Sequence, residues 1–227
     1  MTRITEQLAG LQARIRKAAE LAGRNNDSVT ILAVSKKQPL NAIREALAAG
    51  LQDFGENYLQ EAVAKMAEIG PEARWHFIGP MQSNKARPIA ENFAWVHTVD
   101  SRRIAERLSA HRPPDHGELQ ACIQIRPTNA ENRAGIAADE VFELAKLMQD
   151  LPRIRLRGLM MMPLPDQAMA GSRREFARTR ELLGELVQRG HDVDTLSMGM
   201  SADLEAAIME GSTIVRIGTD LFGPRTQ

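Results

Sequence analysis

The chain has 227 residues, 29 acidic against 29 basic, with 43% apolar and 26% charged. That balance suits a globular protein and excludes both a disordered chain and one drawn to nucleic acid by bulk charge. A single cysteine, Cys122 in the apolar run LQACIQI, excludes an intramolecular disulfide and a cysteine-based zinc site.

The amino-terminal stretch MTRITEQLAGLQARIRKAAELAG is amphipathic and interrupted by charge throughout. It reads as a surface helix closed by Gly23, not as a secretion signal or a membrane span. A cytoplasmic location is therefore expected. Short apolar runs then alternate with stretches of helical spacing. The runs are TILAVSK (30–36), LQDFGE (51–56), RWHFIG (74–79), AWVHTV (94–99), LQACIQIR (119–126), IRLRGLMMM (154–162), DTLSMG (194–199) and TIVRIG (213–218). Helices are expected between them at 40–49, 57–68, 84–92, 101–110, 138–150, 172–189 and 202–210. Ser101 reads as a helix cap, Ser83 or Asn84 as another, and PLPDQAMAGSRREF (163–176) as a mobile loop.

Strict strand–helix alternation calls for parallel strands, because parallel neighbours need a crossover. Eight such units fit a single (β/α)8 barrel, an α/β fold spanning 1–227 with an extra amino-terminal helix. The rival, an open doubly wound sheet, lacks its G-x-G-x-x-G signature: SKKQPL stands after the first strand.

In such a barrel the functional groups lie at the carboxyl ends of the strands. The first strand ends on Lys36 and Lys37. If the strand runs through both, they point to opposite sides, and one amine can face the barrel mouth. A partly dry amine is a nucleophile toward carbonyls; a solvated pair is the plainer alternative. In the last strand, Ile214, Arg216 and Gly218 share one face. An arginine inside an apolar strand needs a partner or a polar cavity. Gly218 and Thr219, together with Ser201 at the expected start of the last helix, form a plausible phosphate cup. A cup and a nucleophilic lysine suit a phosphorylated sugar or pyridoxal phosphate. Position favours the second, since the first strand neighbours the eighth once the barrel closes, and Arg216 can meet the pyridine nitrogen of a ring whose aldehyde reaches Lys36.

The segments AVSKKQP, FGENYLQE, WHFIGPMQSNK, RGLMMMP, LSMGMSADLEAAIMEGSTIVRIGT and FGPR, in this order, closely resemble the pyridoxal phosphate homeostasis proteins, relatives of the barrel domain of alanine racemase. The resemblance runs from residue 30 to residue 225. It implies that Lys36 forms the internal aldimine, that Arg216 faces the pyridine nitrogen, and that Ser201, Gly218 and Thr219 hold the phosphate. It also implies that Asn57 lies near the cofactor and that His76 lines the same mouth. Where family members often carry a lysine, this chain has Arg133 in NRAGI, which forms no Schiff base under ordinary conditions.

His76 and His97 each read more readily as core histidines than as catalysts, His76 gaining weight from its strand-end position, and Glu56 and Asp100 as isolated carboxylates. No metal-ligand spacing occurs, so no metal site is expected. The methionines of GLMMMPLP either pack the core or line an adaptable cavity. Racemase chemistry needs a second base, a tyrosine that the resemblance places outside the barrel. The sole tyrosine here is Tyr58, and the chain ends at Gln227, shortly after the eighth strand. The expected function is a monomeric carrier and not an enzyme. It would hold pyridoxal phosphate on Lys36 and pass it to apo-enzymes, with no nucleic-acid or membrane partner. A minimal amino-acid racemase using Lys36 alone is the alternative; a sugar-phosphate aldolase is a third.

Overall fold

The alternation of apolar runs and helical stretches folds as a closed barrel. The computed structural model describes residues 2–164 and 169–223. Its strands are β1 (Thr30–Val34), β2 (Asp53–Glu56), β3 (Arg74–Phe77), β4 (Trp95–Val99), β5 (Leu119–Ile125), β6 (Ile154–Met161), β7 (Thr195–Ser197) and β8 (Ile214–Ile217). All neighbouring pairs are parallel, in the order β1 to β8, and β8 closes on β1 with Leu32 opposite Arg216. The helices are α1 (Arg3–Leu21), α2 (Leu40–Ala48), α3 (Leu59–Ile69), α4 (Ala86–Asn92), α5 (Arg102–His111), α6 (Val141–Asp150), α7 (Met169–Gln188), α8 (Leu204–Met209) and the single turn α9 (Thr219–Phe222). Each of the eight expected strands and seven expected intervening helices is present.

The strands read as near-continuous apolar runs because both of their faces are covered. Leu32, Trp95, Cys122, Met160 and Ile214 pack together in one cluster. Alternate residues such as Ala33, Ile123, Val215 and Ile217 belong to the larger core that includes the helices. Cys122 is fully buried, which pushes its thiol up to about 12, so it is an inert core residue.

Helix α1 buries Ile4, Leu8, Leu11, Ile15, Ala18 and Ala19, one stripe at three- and four-residue spacing. Each large side chain there contributes roughly 1.5–3 kcal/mol of docking. The helix ends as the sequence suggests, with Gly23 at φ +65°, the left-handed conformation that glycine adopts without strain.

Ser101 caps α5, accepting a hydrogen bond from the Ile104 N–H. Ser83 and Asn84 do not cap a helix through their side chains. A 3-10 turn at Ser83–Lys85 leads into α4 without a side-chain cap bond. The expected loop at 163–176 is also corrected: residues 169–176 already belong to α7. Ser172, Glu175, Phe176 and Thr179 begin a buried stripe that continues to Leu186, and that packing holds the early turns helical. Residues 165–168 of that segment, and the Pro224 and Arg225 of FGPR, lie outside the described residues. Among the described residues no helix is long and apolar enough to cross a membrane.

Candidate functional site

A cavity of about 420 Å³ opens at the carboxyl ends of the strands. Lys36, Asn57, Ser201, Arg216, Gly218 and Thr219 all line it. The volume falls within the range of small-ligand pockets.

Strand β1 stops at Val34, so the two lysines do not continue it. Ser35 to Gln38 form a turn, with the Gln38 N–H donating to the Ser35 carbonyl at 2.9 Å. Lys37 sits at φ +60° and is exposed, while Lys36 lines the cavity. The turn therefore separates the two amines, where strand alternation had been expected to do so. It is held from below by charge. Lys65, on α3, donates to the Ser35 carbonyl (2.7 Å), to Glu56 Oε1 (2.7 Å) and to Glu61 Oε1 (2.6 Å). Ser35 Oγ donates to Glu56 Oε1 at 2.7 Å, and Glu61 Oε1 accepts from the Lys37 N–H at 2.5 Å. Burial pushes the Glu56 carboxyl up, and its bonds to Lys65 and Ser35 pull it back. Lys65 and Glu61 went unnoticed in the sequence, where a lysine and a glutamate four apart read as an ordinary helix-surface pair.

Arg216 is almost wholly buried. Its Nη1 donates to the Ser197 carbonyl (2.5 Å) and to Ser197 Oγ (2.9 Å), and its Nη2 donates to the Met161 carbonyl (2.9 Å). Burial lowers its pKa to about 10, with Asp203 and Cys122 working against that. At neutral pH it remains a cation, fixed by three bonds on its protein side.

Behind Arg216 runs a chain of buried polar groups. Ser197 Oγ lies 2.7 Å from His97 Nδ1, His97 Nε2 lies 3.0 Å from His76 Nδ1, and His76 Nε2 lies 2.9 Å from Asp53 Oδ1. Burial lowers the pKa of both histidines, that of His97 well below the usual histidine value, with His76 and Arg216 adding to the effect, so each is neutral and carries one ring proton. With neutral rings the Asp53 carboxylate, which can only accept, sets the direction, and Arg216, which can only donate, agrees with it. Protons then point one way: Arg216 to Ser197, Ser197 to His97, His97 to His76, His76 to Asp53.

This corrects the expectation for His76. It does not line the mouth. Its ring lies inside the barrel, stacked on Trp95 at 5.4 Å between centroids and bonded to Asp53, the first residue of β2. The run RWHFIG reads as a strand over 74–79 with His76 to Gly79 as its mouth end, but β3 stops at Phe77. In fact Ile78 and Gly79, beyond β3, reach the cavity.

Ser201, Ala202, Gly218 and Thr219 follow β7 and β8, and β8 pairs with β1. The N–H groups of Ser201, Ala202, Gly218 and Thr219 donate to no acceptor among the described residues. Helix α8 starts later than expected, so Ser201 and Ala202 lie in the turn before it. Asp203 closes that turn by accepting the Met200 N–H at 2.6 Å. A side chain at Gly218 would meet nothing closer than Val34 at 3.7 Å, and its φ is −112°. Neither clash nor a left-handed backbone demands glycine there. The Oδ1 of Asn57 is buried and has no hydrogen-bond partner among the described residues, which suits a donor from a bound molecule. The set of free N–H groups, an unpartnered amide oxygen and a cation fits pyridoxal phosphate.

Met160 and Met162 line the cavity while Met161 packs in the core, so both readings of the methionine cluster hold in part. Thr98, Gln124 and Ala202 also line it and were not singled out. Gln124 carried a signal, a polar residue within an apolar strand. Lys36 and Arg216 are the only ionisable residues in the cavity wall among the described residues. Tyr58 is 52% exposed and is not part of the wall. Arg133 is exposed, although its neighbour Ala134 lines the cavity. No cluster of three or more metal-ligating side chains occurs among the described residues.

Residues 7–226 match the family model described as alanine racemase, N-terminal domain. The chain is 54% identical to the pyridoxal phosphate homeostasis protein of Pseudomonas aeruginosa, over 99% of this chain and 97% of the relative. It is 46% identical to that of Escherichia coli, over 99% and 98%. Among solved structures it is similar to PipY of Synechococcus elongatus with pyridoxal phosphate bound, at 38% identity and a TM-score of 0.83, covering 97% of this chain and 100% of that one.

Proposed function

The chain belongs to the alanine racemase N-terminal domain family, among the pyridoxal phosphate homeostasis proteins, and from that membership we propose that it is a reversible carrier of pyridoxal phosphate that leaves amino acids unturned. When bound, the cofactor supplies an aldehyde that condenses with an amine, with loss of water and gain of a C=N bond. Lys36 is the amine: it lines the cavity, and its turn is fixed by Lys65.

The N–H groups of Ser201, Ala202, Gly218 and Thr219 are assigned to the phosphate oxygens. Arg216 is assigned to the ring nitrogen. A guanidinium there donates and cannot accept, so it keeps the nitrogen unprotonated and the ring a weaker electron sink. Asn57 takes a hydrogen bond at the cavity wall.

One observation carries the reading of a carrier over an enzyme. Among the described residues the cavity wall offers no ionisable group besides Lys36 and Arg216. Efficient exchange of a proton on both faces of an amino-acid carbon is served by a base on each face. Among those residues one lysine and an arginine that stays protonated supply at most one base. Release to apo-enzymes is consistent with a mouth rimmed by the partly exposed Met162 and Met200.

The test is an absorbance spectrum of the protein with pyridoxal phosphate, borohydride reduction and peptide mapping, followed by incubation with single-enantiomer amino acids. A reduced adduct on Lys36 and no sustained change in enantiomer ratio supports the carrier. An adduct elsewhere, or steady racemisation, overturns it.

A further inference from the structure

We infer that Arg14, on the extra helix α1, is a positioning residue that holds the two halves of the anion cup in register and so sets the preference for a phosphorylated ligand. This rests on the cup assigned above.

The cup is built from two separate loops, one before α8 and one after β8. Arg14 reaches both. Its Nε and Nη2 grip the Glu205 carboxylate at 2.7 and 3.1 Å, its Nη1 donates to Asp220 Oδ2 at 2.7 Å, and its Nη2 also donates to the Ser201 carbonyl at 3.0 Å. Glu205 lies in the first turn of α8, two residues after the Asp203 cap. Asp220 follows Thr219 directly. One guanidinium thus ties the Ser201 side to the Thr219 side.

The bond to the Ser201 carbonyl acts directly on the cup. The Ser201 C=O and the Ala202 N–H belong to one trans peptide and point in opposite directions. With the carbonyl pinned outward on Arg14, the Ala202 N–H faces the cavity that Ala202 lines. A cation on the carbonyl also polarises that peptide and strengthens its N–H as a donor. Arginine suits this task because its planar fork can bond two acidic groups and a carbonyl at once; the compact ammonium of lysine cannot reproduce that. Arg14, Glu205 and Asp220 are each one-third to one-half exposed. Exposed pairs add little to global stability, so the consequence of this clamp is geometric.

The experiment compares pyridoxal phosphate with pyridoxal, which has the same aldehyde and ring but no phosphate, and uses inorganic phosphate as competitor. Wild type binds the phosphorylated form more tightly. Arg14→Ala lowers that affinity about ten-fold, raises the phosphate concentration needed to compete by a similar factor, and changes pyridoxal affinity by less than about two-fold. Arg14→Lys falls between. A ratio of the two affinities unchanged in Arg14→Ala overturns the role of Arg14. Should wild type itself show neither preference nor competition, the cup fails, and the inference with it. Because α1 packs on the barrel, a Glu205→Ala/Asp220→Ala double variant, which leaves Arg14 only the Ser201 carbonyl, repeats the measurement with α1 untouched. It shows a selective loss in the same direction, and a ratio equal to wild type counts against the clamp.

Discussion

The ammonium nitrogen of Lys65 lies 2.7 Å from the carbonyl oxygen of Ser35, the residue just before Lys36. A helix side chain therefore holds the turn that brings Lys36 to the cavity. The pair with Glu56 is almost fully buried, with the lysine side chain 8% exposed and the glutamate 0%. Removing one partner of such a pair leaves an uncompensated buried charge. Lys65→Met should destabilise the fold by about 3–5 kcal/mol in urea titrations. Lys65→Met with Glu56→Gln should recover much of that loss while the turn stays loose and covalent attachment stays slow. A double variant as unstable as the single one argues against the pair as the cause.

The buried histidines give the fold an acid sensitivity. In the unfolded chain each titrates near its ordinary value; in the fold both pKa values are lowered by burial. Below about pH 6.5 the unfolded state thus binds more protons than the native one, and stability falls with pH. The slope is at most about 1.4 kcal/mol per pH unit for each histidine, and it persists until the native pKa values are reached. The denaturation midpoint should drop steadily from pH 7 to pH 5. His97→Asn should flatten that profile, though it also breaks the proton-donor chain to Asp53 and costs stability at pH 7. An equally steep profile in that variant assigns the acid sensitivity to other groups.

The turn after β1 places Lys36 at the cavity and leaves Lys37 exposed. Lys36→Ala should abolish borohydride-trapped label and leave only weak, non-covalent retention of pyridoxal phosphate through the cup. Lys37→Ala should retain label, because Lys37 is exposed and its backbone N–H, not its amine, is engaged by Glu61. Mass spectrometry of the reduced protein distinguishes them.

The barrel was legible because each strand is apolar on both faces and each helix keeps its period. Arg216 and Gly218 were legible for the opposite reason, since they break an apolar strand at its mouth end. What stayed hidden depends on distances along the chain. Arg14 meets Glu205 and Asp220 across 191 and 206 residues. The chain from His76 through His97 to Ser197 joins three strands. Nothing in a helix-surface arginine or a strand histidine announces such partners. His76 was misplaced because it lies near the end of β3 yet its ring is taken up inside the barrel by Trp95, His97 and Asp53, partners from other strands that position along its own strand does not show.

Gly199 and Gly218 differ in what the fold demands of them. At Gly199 the backbone has φ +95° and a Cβ would lie 2.5 Å from the Ala207 Cβ. Gly199→Ala should therefore destabilise by about 1–3 kcal/mol through strain and overlap. At Gly218 an added methyl makes only ordinary contact with Val34 at 3.7 Å, in a backbone conformation open to other residues. Gly218→Ala should leave the thermal midpoint unchanged or raise it slightly, since alanine restricts the unfolded chain. The same methyl enters the space of the cup beside two N–H groups, so affinity for pyridoxal phosphate should fall by about ten-fold or more, with pyridoxal less affected. Paired melting and binding curves decide it: a stable variant with wild-type affinity for the phosphorylated form would show that no phosphate approaches Gly218.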